Sequence, residues 1–211
     1  MLPNEPVSTP KRQTRTGRRT RHEILRMAVD IASAEGLEGL TIGRLAKELN
    51  MSKSGLFAHF GSKEELQIAT VETARDIFIE EIIDPAAGTE RGIERLRALL
   101  EFWLSYVERS VFRGGCFFAA ASLEFDSREG PVRTLIAALT KAWVDLLIDE
   151  FEQARKKEQI GPSAEANQVV FELHALVQEA NWAYHLLQDS KAFERARTGI
   201  TNRLNSLTYT Y

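Results

Sequence analysis

The residues best suited to chemistry cluster between Thr41 and Leu66, in the stretch TIGRLAKELNMSKSGLFAHFGSKEEL. The chemistry they suit is recognition of duplex DNA. Ile42, Leu45, Ala46 and Leu49 recur at helical steps, and after Ser52 so do Leu56, Phe57 and Phe60. Two helices of about two turns joined by a short turn form a helix-turn-helix, whose second helix is narrow enough to enter the major groove. Asn50 suits the left-handed conformation of the turn, and Ser52 can cap the helix that follows. Ala46 is small where the two helices must approach. Gly55 costs a short helix about 1 kcal/mol relative to Ala, so its presence points to a close approach, either to the preceding helix or to DNA. Leu45, Leu49, Leu56 and Phe60 read as core.

Catalytic chemistry has no comparable cluster. There is no nucleophile elbow, no His-Glu-x-x-His, no Cys-rich metal pattern and no phosphate loop. No catalytic residue, metal or cofactor is therefore expected, and the chain does not read as an enzyme. The single cysteine, Cys116, reads as a small buried hydrophobe or, if its thiolate were stabilised, a redox sensor. His174 and His185 share a helix face but stand about 16 Å apart, too far to hold one metal.

The elements that must position these residues are helical throughout. Ile24, Leu25, Ala28, Ile31 and Ala32 mark a first helix over about 19–34, ended by Gly36. Ser62-Lys63-Glu64-Glu65 matches a capping box, so a longer helix starts there and runs to about Ile83, where Pro85 stops it. Further helices are predicted near 90–109, 114–126, 131–157, 164–188 and 192–207, punctuated by Gly114-Gly115, Gly130-Pro131 and Gly161-Pro162. The fold class is all-α. The helices near 131–157 and 164–188 are apolar on more than one face: Leu135, Leu139, Trp143, Leu146 and Leu147 in one, Val169, Val170, Leu173, Leu176, Val177 and Ala180 in the other. Either each is deeply buried or the two build a homodimeric four-helix interface.

The net charge of −3 conceals an asymmetry. Residues 1–63 hold 11 Lys/Arg against 6 Asp/Glu, whereas residues 64–211 hold 16 against 24. A basic segment on an acidic chain fits a nucleic-acid-binding module joined to something that does not bind nucleic acid, or a solvated basic tail. Residues 1–18 are expected to form a flexible basic arm, ahead of a DNA-binding domain over 19–66 and a regulatory domain over 67–211. Lys11, Arg12, Arg15, Arg18, Arg19 and Arg21 either enter the minor groove or add nonspecific affinity. No apolar leader and no run of about 18 uncharged apolar residues occurs, so a cytoplasmic location away from membranes is expected.

The stretch Gly55-Leu-Phe57-Ala-His59-Phe60-Gly-Ser-Lys63-Glu-Glu-Leu66 resembles the signature of the tetracycline-repressor-like (TetR) family, over roughly residues 19–70. The resemblance implies a homodimeric repressor that binds a palindromic operator and leaves it when a small molecule fills a pocket in the C-terminal domain. It also implies that helix 4 carries the motion. Thr41 and Arg44 are then placed for phosphate contact and Lys63 as a backbone anchor. Ser52, Lys53, Ser54 and Gly55 face the groove, with Lys53 the donor to a guanine edge or a phosphate. Arg19 joins them from the arm. Phe57 stands where the family usually has Tyr, which removes a hydroxyl that donates to a phosphate. His59 bonds locally or touches a phosphate. The segment from Phe112 to Asp126, with its Gly-Cys-Phe start to a central helix, also resembles a subgroup of these regulators. Ligand candidates are Trp103, Tyr106, Cys116, Phe117, Trp143, His174 and Trp182, aromatic or polar residues on otherwise aliphatic helices. The alternatives are an architectural DNA-binding protein without a ligand and an enzyme that carries a helix-turn-helix.

Overall fold

The computed structural model describes residues 15–208, with side chains from residue 21 onward. Lys11 and Arg12 lie outside the described residues, as do the side chains of Arg15, Arg18 and Arg19. The elements are α1 (Arg15–Glu35), α2 (Ile42–Glu48), α3 (Lys53–Phe60), α4 (Lys63–Phe78), a π-helical turn (Ile79–Ile83), α5 (Asp84–Ala86), α6 (Ile93–Glu108), α7 (Phe117–Phe125), α8 (Pro131–Lys156), α9 (Ala166–Leu187) and α10 (Ala192–Asn205). No strand occurs among the described residues, and no helix there is long and apolar enough to cross a membrane.

Ile24, Leu25, Ala28, Ile31 and Ala32 are all buried, so the stripe that predicted α1 is its core face. Gly36, at φ +85°, ends the helix. α1 begins at Arg15 rather than near residue 19, so the expected arm boundary falls inside a helix. Nothing between Gly17 and the stripe breaks a helix, and a helix nucleated by a packed stripe extends into neighbouring residues of good propensity.

Pro85 does not stop the fourth helix. The π turn lets the Asp84 N–H reach back five residues to the Ile79 carbonyl, and Pro85 then falls in the first turn of α5. Pro85 has no N–H, so the ladder skips one bond there and resumes with the Ala87 N–H on the Ile83 carbonyl at 3.1 Å. The helical path from Lys63 thus continues to Ala86.

In the C-terminal half, α8 packs on α4, α6, α7 and α9. Trp143 and Leu147 are buried, and Leu135, Leu139 and Leu146 pack against the core. The surplus apolar surface expected on 131–157 is partly buried, with Leu135, Leu139, Val144, Leu146 and Ile148 packed against the core but not enclosed. On α9 part of it is open: Phe171 (70% exposed), Trp182 (46%) and Leu186 (65%) face outward, near the exposed Leu187. The buried Glu150 carboxylate of α8 accepts the Gly92 N–H and the Arg91 Nε–H, both at 2.9 Å, and Gln159 Oε1 accepts the Ile93 N–H at 3.1 Å. These bonds satisfy the start of α6, which has no side-chain cap of its own.

Candidate nucleic-acid interface and internal cavity

In the N-terminal head, α2, α3 and α4 each start on a hydroxyl cap. Thr41 Oγ1 accepts the Arg44 N–H at 3.0 Å, Ser52 Oγ the Gly55 N–H at 3.1 Å, and Ser62 Oγ the Glu65 N–H at 3.1 Å. Only half of the expected capping box forms, because the Ser62 N–H donates to the Phe60 carbonyl at 2.7 Å instead of to Glu65. Asn50 adopts φ +51° and the Met51 N–H bonds the Ala46 carbonyl at 2.9 Å, which closes the turn before α3. Arg21 secures the far end of α3. Its Nη1 donates to the His59 carbonyl at 2.9 Å and its guanidinium lies 4.5 Å from the Phe60 ring centroid. Arg21 is therefore a clamp between α1 and α3 rather than an arm residue.

Leu45, Leu56 and Phe60 are buried and Leu49 packs against them, as the pattern requires. Ser52, Lys53 and Ser54 are exposed and His59 half-buried, against the edge of Phe60. Phe57, read with the apolar face, is 57% exposed and shares the outer side of α3 with Lys53, one turn earlier. A Cβ on Gly55 would meet only Ser52 Oγ, at 3.0 Å, so no part of α2 approaches it and its free side points outward.

Two of the three cations singled out in the head are already paired. Arg44 donates through Nε and Nη2 to Glu35, at 2.9 and 2.7 Å, and through Nη1 to Glu48 at 2.6 Å. Hydrogen bonds to Glu35 and Glu48 hold its guanidinium protonated beyond its ordinary range. Lys63 bonds Glu38 at 2.6 Å and lowers that carboxyl's pKa. Among the described residues Lys53 has no such partner. Exchange of these carboxylates for phosphates remains accessible, because ion pairs between exposed groups are weak.

Besides α4, which packs along α1 and bonds the Leu37 carbonyl through Gln67 at 3.0 Å, two further places fasten the head to the rest of the chain. At the first, Gly114 lies so close to α1 that a Cβ there would sit 2.0 Å from the Ser33 carbonyl oxygen. Its N–H donates to Ser33 Oγ at 3.2 Å, the Arg113 N–H to Asp30 at 3.0 Å, and the Arg113 guanidinium pairs with Asp30 and Glu35. The other side of the same loop faces α9: the Cys116 N–H donates to Asn181 Oδ1 at 3.0 Å, and a Cβ on Gly115 would lie 2.5 Å from His185 Nε2. At the second, Glu124 of α7 accepts the N–H groups of Leu37 and Glu38 at 2.7 and 3.0 Å, and Arg128 pairs with Glu38 at 3.3 Å.

Between α4, the π turn, α6, α7, α8 and α9 lies a cavity of about 190 Å³. Phe78, Trp103, Phe118 and Trp143 wall it, edge to face: Phe78 and Trp143 stand 5.0 Å apart at 80°, Trp103 and Trp143 5.4 Å apart at 82°. His174, 5.0 Å from Trp103, and Gln178 supply polar groups from α9, and Ser122 and Thr140 from α7 and α8. Burial lowers the His174 pKa, which favours its neutral form. Arg75 lines the cavity with Nε and Nη2 both on Asp76, at 2.8 and 2.6 Å.

Of the seven ligand candidates, Trp103, Trp143 and His174 line this space. Tyr106, Cys116 and Phe117 are buried beside it in the core, and Trp182 lies on the outer surface. Burial raises the Cys116 pKa, so its thiol lacks the electropositive, accessible setting that a redox sensor needs. The wall residues missed include Arg75 and Phe78 of α4, Phe118 and Ser122 of α7, Thr140 of α8 and Gln178 of α9. The one signal available for them was Phe118, next to Phe117 in the Gly-Cys-Phe segment. No group of His, Cys, Asp and Glu among the described residues is arranged to hold a metal.

A helix-turn-helix head fixed by backbone contacts to a helical domain with an aromatic-walled cavity is the build of a transcriptional regulator. The family model described as bacterial regulatory proteins, tetR family, matches residues 24–70, and that of the tetracyclin repressor-like C-terminal domain matches residues 92–200. The chain belongs to the TetR family. The nucleoid occlusion factor SlmA of Haemophilus influenzae is 26% identical over 105 residues, 49% of this chain and 48% of its own. The chain thus spans about half the length of the first curated relatives it matches. The HTH-type transcriptional regulator RutR of Escherichia coli is 29% identical over 147 residues, 65% of this chain and 68% of its own. Its relatives are thus regulators and DNA-binding proteins rather than enzymes. A TetR regulator structure from Chloroflexus aurantiacus superposes with a TM-score of 0.83 at 23% identity, over 92% of this chain and 98% of that one, a likeness of fold. AibR, solved with isovaleryl coenzyme A and operator DNA, gives a TM-score of 0.70 at 25% identity, over 90% of this chain and 100% of that one.

Proposed function

We propose that this chain is a homodimeric, cytoplasmic repressor that binds a palindromic operator through α3 of each copy and releases it when a small molecule occupies the internal cavity. The observation that carries this reading is the continuity between cavity and head. α7 presents Phe118 and Ser122 to the cavity while its Glu124 grips the turn after α1. α9 presents His174 and Gln178 to the cavity, and further along its Asn181 holds the loop wedged against α1. α4 lines the cavity with Arg75 and Phe78 and starts directly after the recognition helix. A ligand that displaces any of these walls moves the head with it.

Dimerisation on the exposed face of α9, rather than on α8, fits the distribution of uncovered apolar side chains. Half-sites one duplex turn apart, roughly 34–36 Å, require two recognition helices at fixed separation, so a shift of a few ångströms abolishes simultaneous docking. Lys53, Ser54 and Phe57 face the bases, and Thr41, Arg44 and Lys63 the phosphates, with Arg19 nearby on α1. A second reading is a DNA-binding protein without an effector, since the SlmA relatives are named nucleoid occlusion factors rather than regulators; the cavity favours the regulator.

Selection of duplexes from a random pool, followed by gel-shift titration of the winner against a scrambled control, tests the reading. A palindromic winner bound far more tightly than the control is expected. Equal binding of both would move the assignment to an architectural protein.

A further inference from the structure

Resting on the reading of the cavity as the effector site, we infer that it takes a small, uncharged, one-ring aromatic molecule with a hydrogen-bond acceptor such as a carbonyl oxygen. Size is the first constraint. A cavity of roughly 150 Å³ with apolar walls takes up benzene, so about 190 Å³ holds one ring with a short substituent. Shape is the second. Phe78, Trp103, Phe118 and Trp143 meet edge to face, and a further aromatic ring extends that arrangement, whereas a branched aliphatic chain leaves the ring edges without partners.

Charge is the third. No carboxylate lines the cavity, so an organic cation finds no counter-charge there. The one lining cation, Arg75, is 40% exposed and paired with the adjacent Asp76, so an anion that reaches it gains only the weak attraction of a solvent-screened group. Neither charge sign is matched, and desolvating an unmatched charge costs more than apolar contact returns. The fourth constraint is polarity. His174 and Gln178, one helical turn apart on one wall, have no hydrogen-bond partner among the described residues, and the Gln178 amide offers two donors. A carbonyl oxygen on the ring accepts from that amide.

The test is calorimetric titration of the full chain, without DNA, at pH 7.5 with five probes: acetophenone, ethylbenzene, benzoate, benzyltrimethylammonium and isovaleryl coenzyme A. Acetophenone is expected to bind about tenfold or more tightly than benzoate, benzyltrimethylammonium or the thioester. Gln178→Leu should weaken acetophenone about tenfold and shift ethylbenzene by less than about threefold. Tighter binding of a charged probe, or no binding of acetophenone by the folded wild-type protein, overturns the inference whether or not the variant folds. Since affinity is read without DNA, acetophenone that binds yet never releases the operator refutes the regulatory reading and leaves the ligand class standing.

Discussion

Gly114→Ala isolates the junction between head and cavity domain. Gly114 does not have a positive φ, so alanine is conformationally acceptable there and the only objection is space. The added methyl would lie 2.0 Å from the Ser33 carbonyl oxygen, 2.2 Å from its carbon and 2.5 Å from the Ala34 nitrogen. All three are backbone atoms inside a helix, so no side chain can swing aside; the loop must retreat by about an ångström or more to reach van der Waals contact. Overpacking of this kind costs about 1–3 kcal/mol. Retreat also strains the Gly114 and Arg113 N–H bonds to Ser33 and Asp30, worth about 1 kcal/mol each. The total, about 2–5 kcal/mol, corresponds to a melting temperature lower by roughly 5–15 °C for a chain of this size. Gly88, with no atom within 4 Å of an added Cβ, is the control: Gly88→Ala should be neutral or stabilise by up to about 1 kcal/mol. Calorimetric melting of both variants reads the stability, and gel shift with and without effector reads the coupling, which should shrink in Gly114→Ala alone. Wild-type melting and wild-type effector response in Gly114→Ala would refute the junction as a rigid link.

Lys53→Ala should weaken operator binding and reduce the slope of log affinity against log salt by about 1 if the amine meets a phosphate, or relax preference at one base pair if it meets a guanine edge; gel shifts over a salt series separate the two. Trp182→Glu and Leu186→Glu should halve the mass seen in analytical ultracentrifugation, and a dimer that persists in both would place the interface elsewhere. His174 binds its proton less readily folded than unfolded. Between its folded pKa and the unfolded value of about 6.5 the unfolded chain therefore holds more protons, and stability falls as pH drops through that window. His174→Phe should flatten the loss of melting temperature between pH 7.5 and 5.5, and an unchanged pH slope would put the titration on other groups.

The head was largely legible in the sequence because its determinants are local. The caps at Ser52 and Ser62, the left-handed Asn50 and the period of Leu45, Leu56 and Phe60 all act within a few residues. Where expectation and structure part, the cause is tertiary. Arg44 and Lys63 find carboxylates from α1 and the following turn, Arg21 finds the end of α3, and Gly55 meets no atom of α2. The cavity was half legible: Trp103, Trp143 and His174 stand out as large or polar residues among aliphatic ones, whereas Phe78 and Phe118 look like ordinary core until five helices are placed around them. On α8 and α9 the pattern left deep burial and a dimer interface open, because a helix pattern counts apolar residues and not the neighbours available to cover them; α8 proves partly buried and α9 keeps Phe171, Trp182 and Leu186 exposed.

The carboxylates that hold Arg44 and Lys63 also set how the protein responds to its ionic surroundings. When a phosphate takes Arg44, Glu48 is left with a bare charge that recruits a sodium or potassium ion from solution while the duplex sheds one, whereas Glu35 and Glu38 keep Arg113 and Arg128. Cation uptake on one side offsets cation release on the other. Operator affinity should therefore fall less steeply with salt than the number of lysines and arginines on this face implies. The same internal neutralisation weakens attraction to polyanions in general, so a duplex of the wrong sequence holds the protein less than its basic residues alone would suggest.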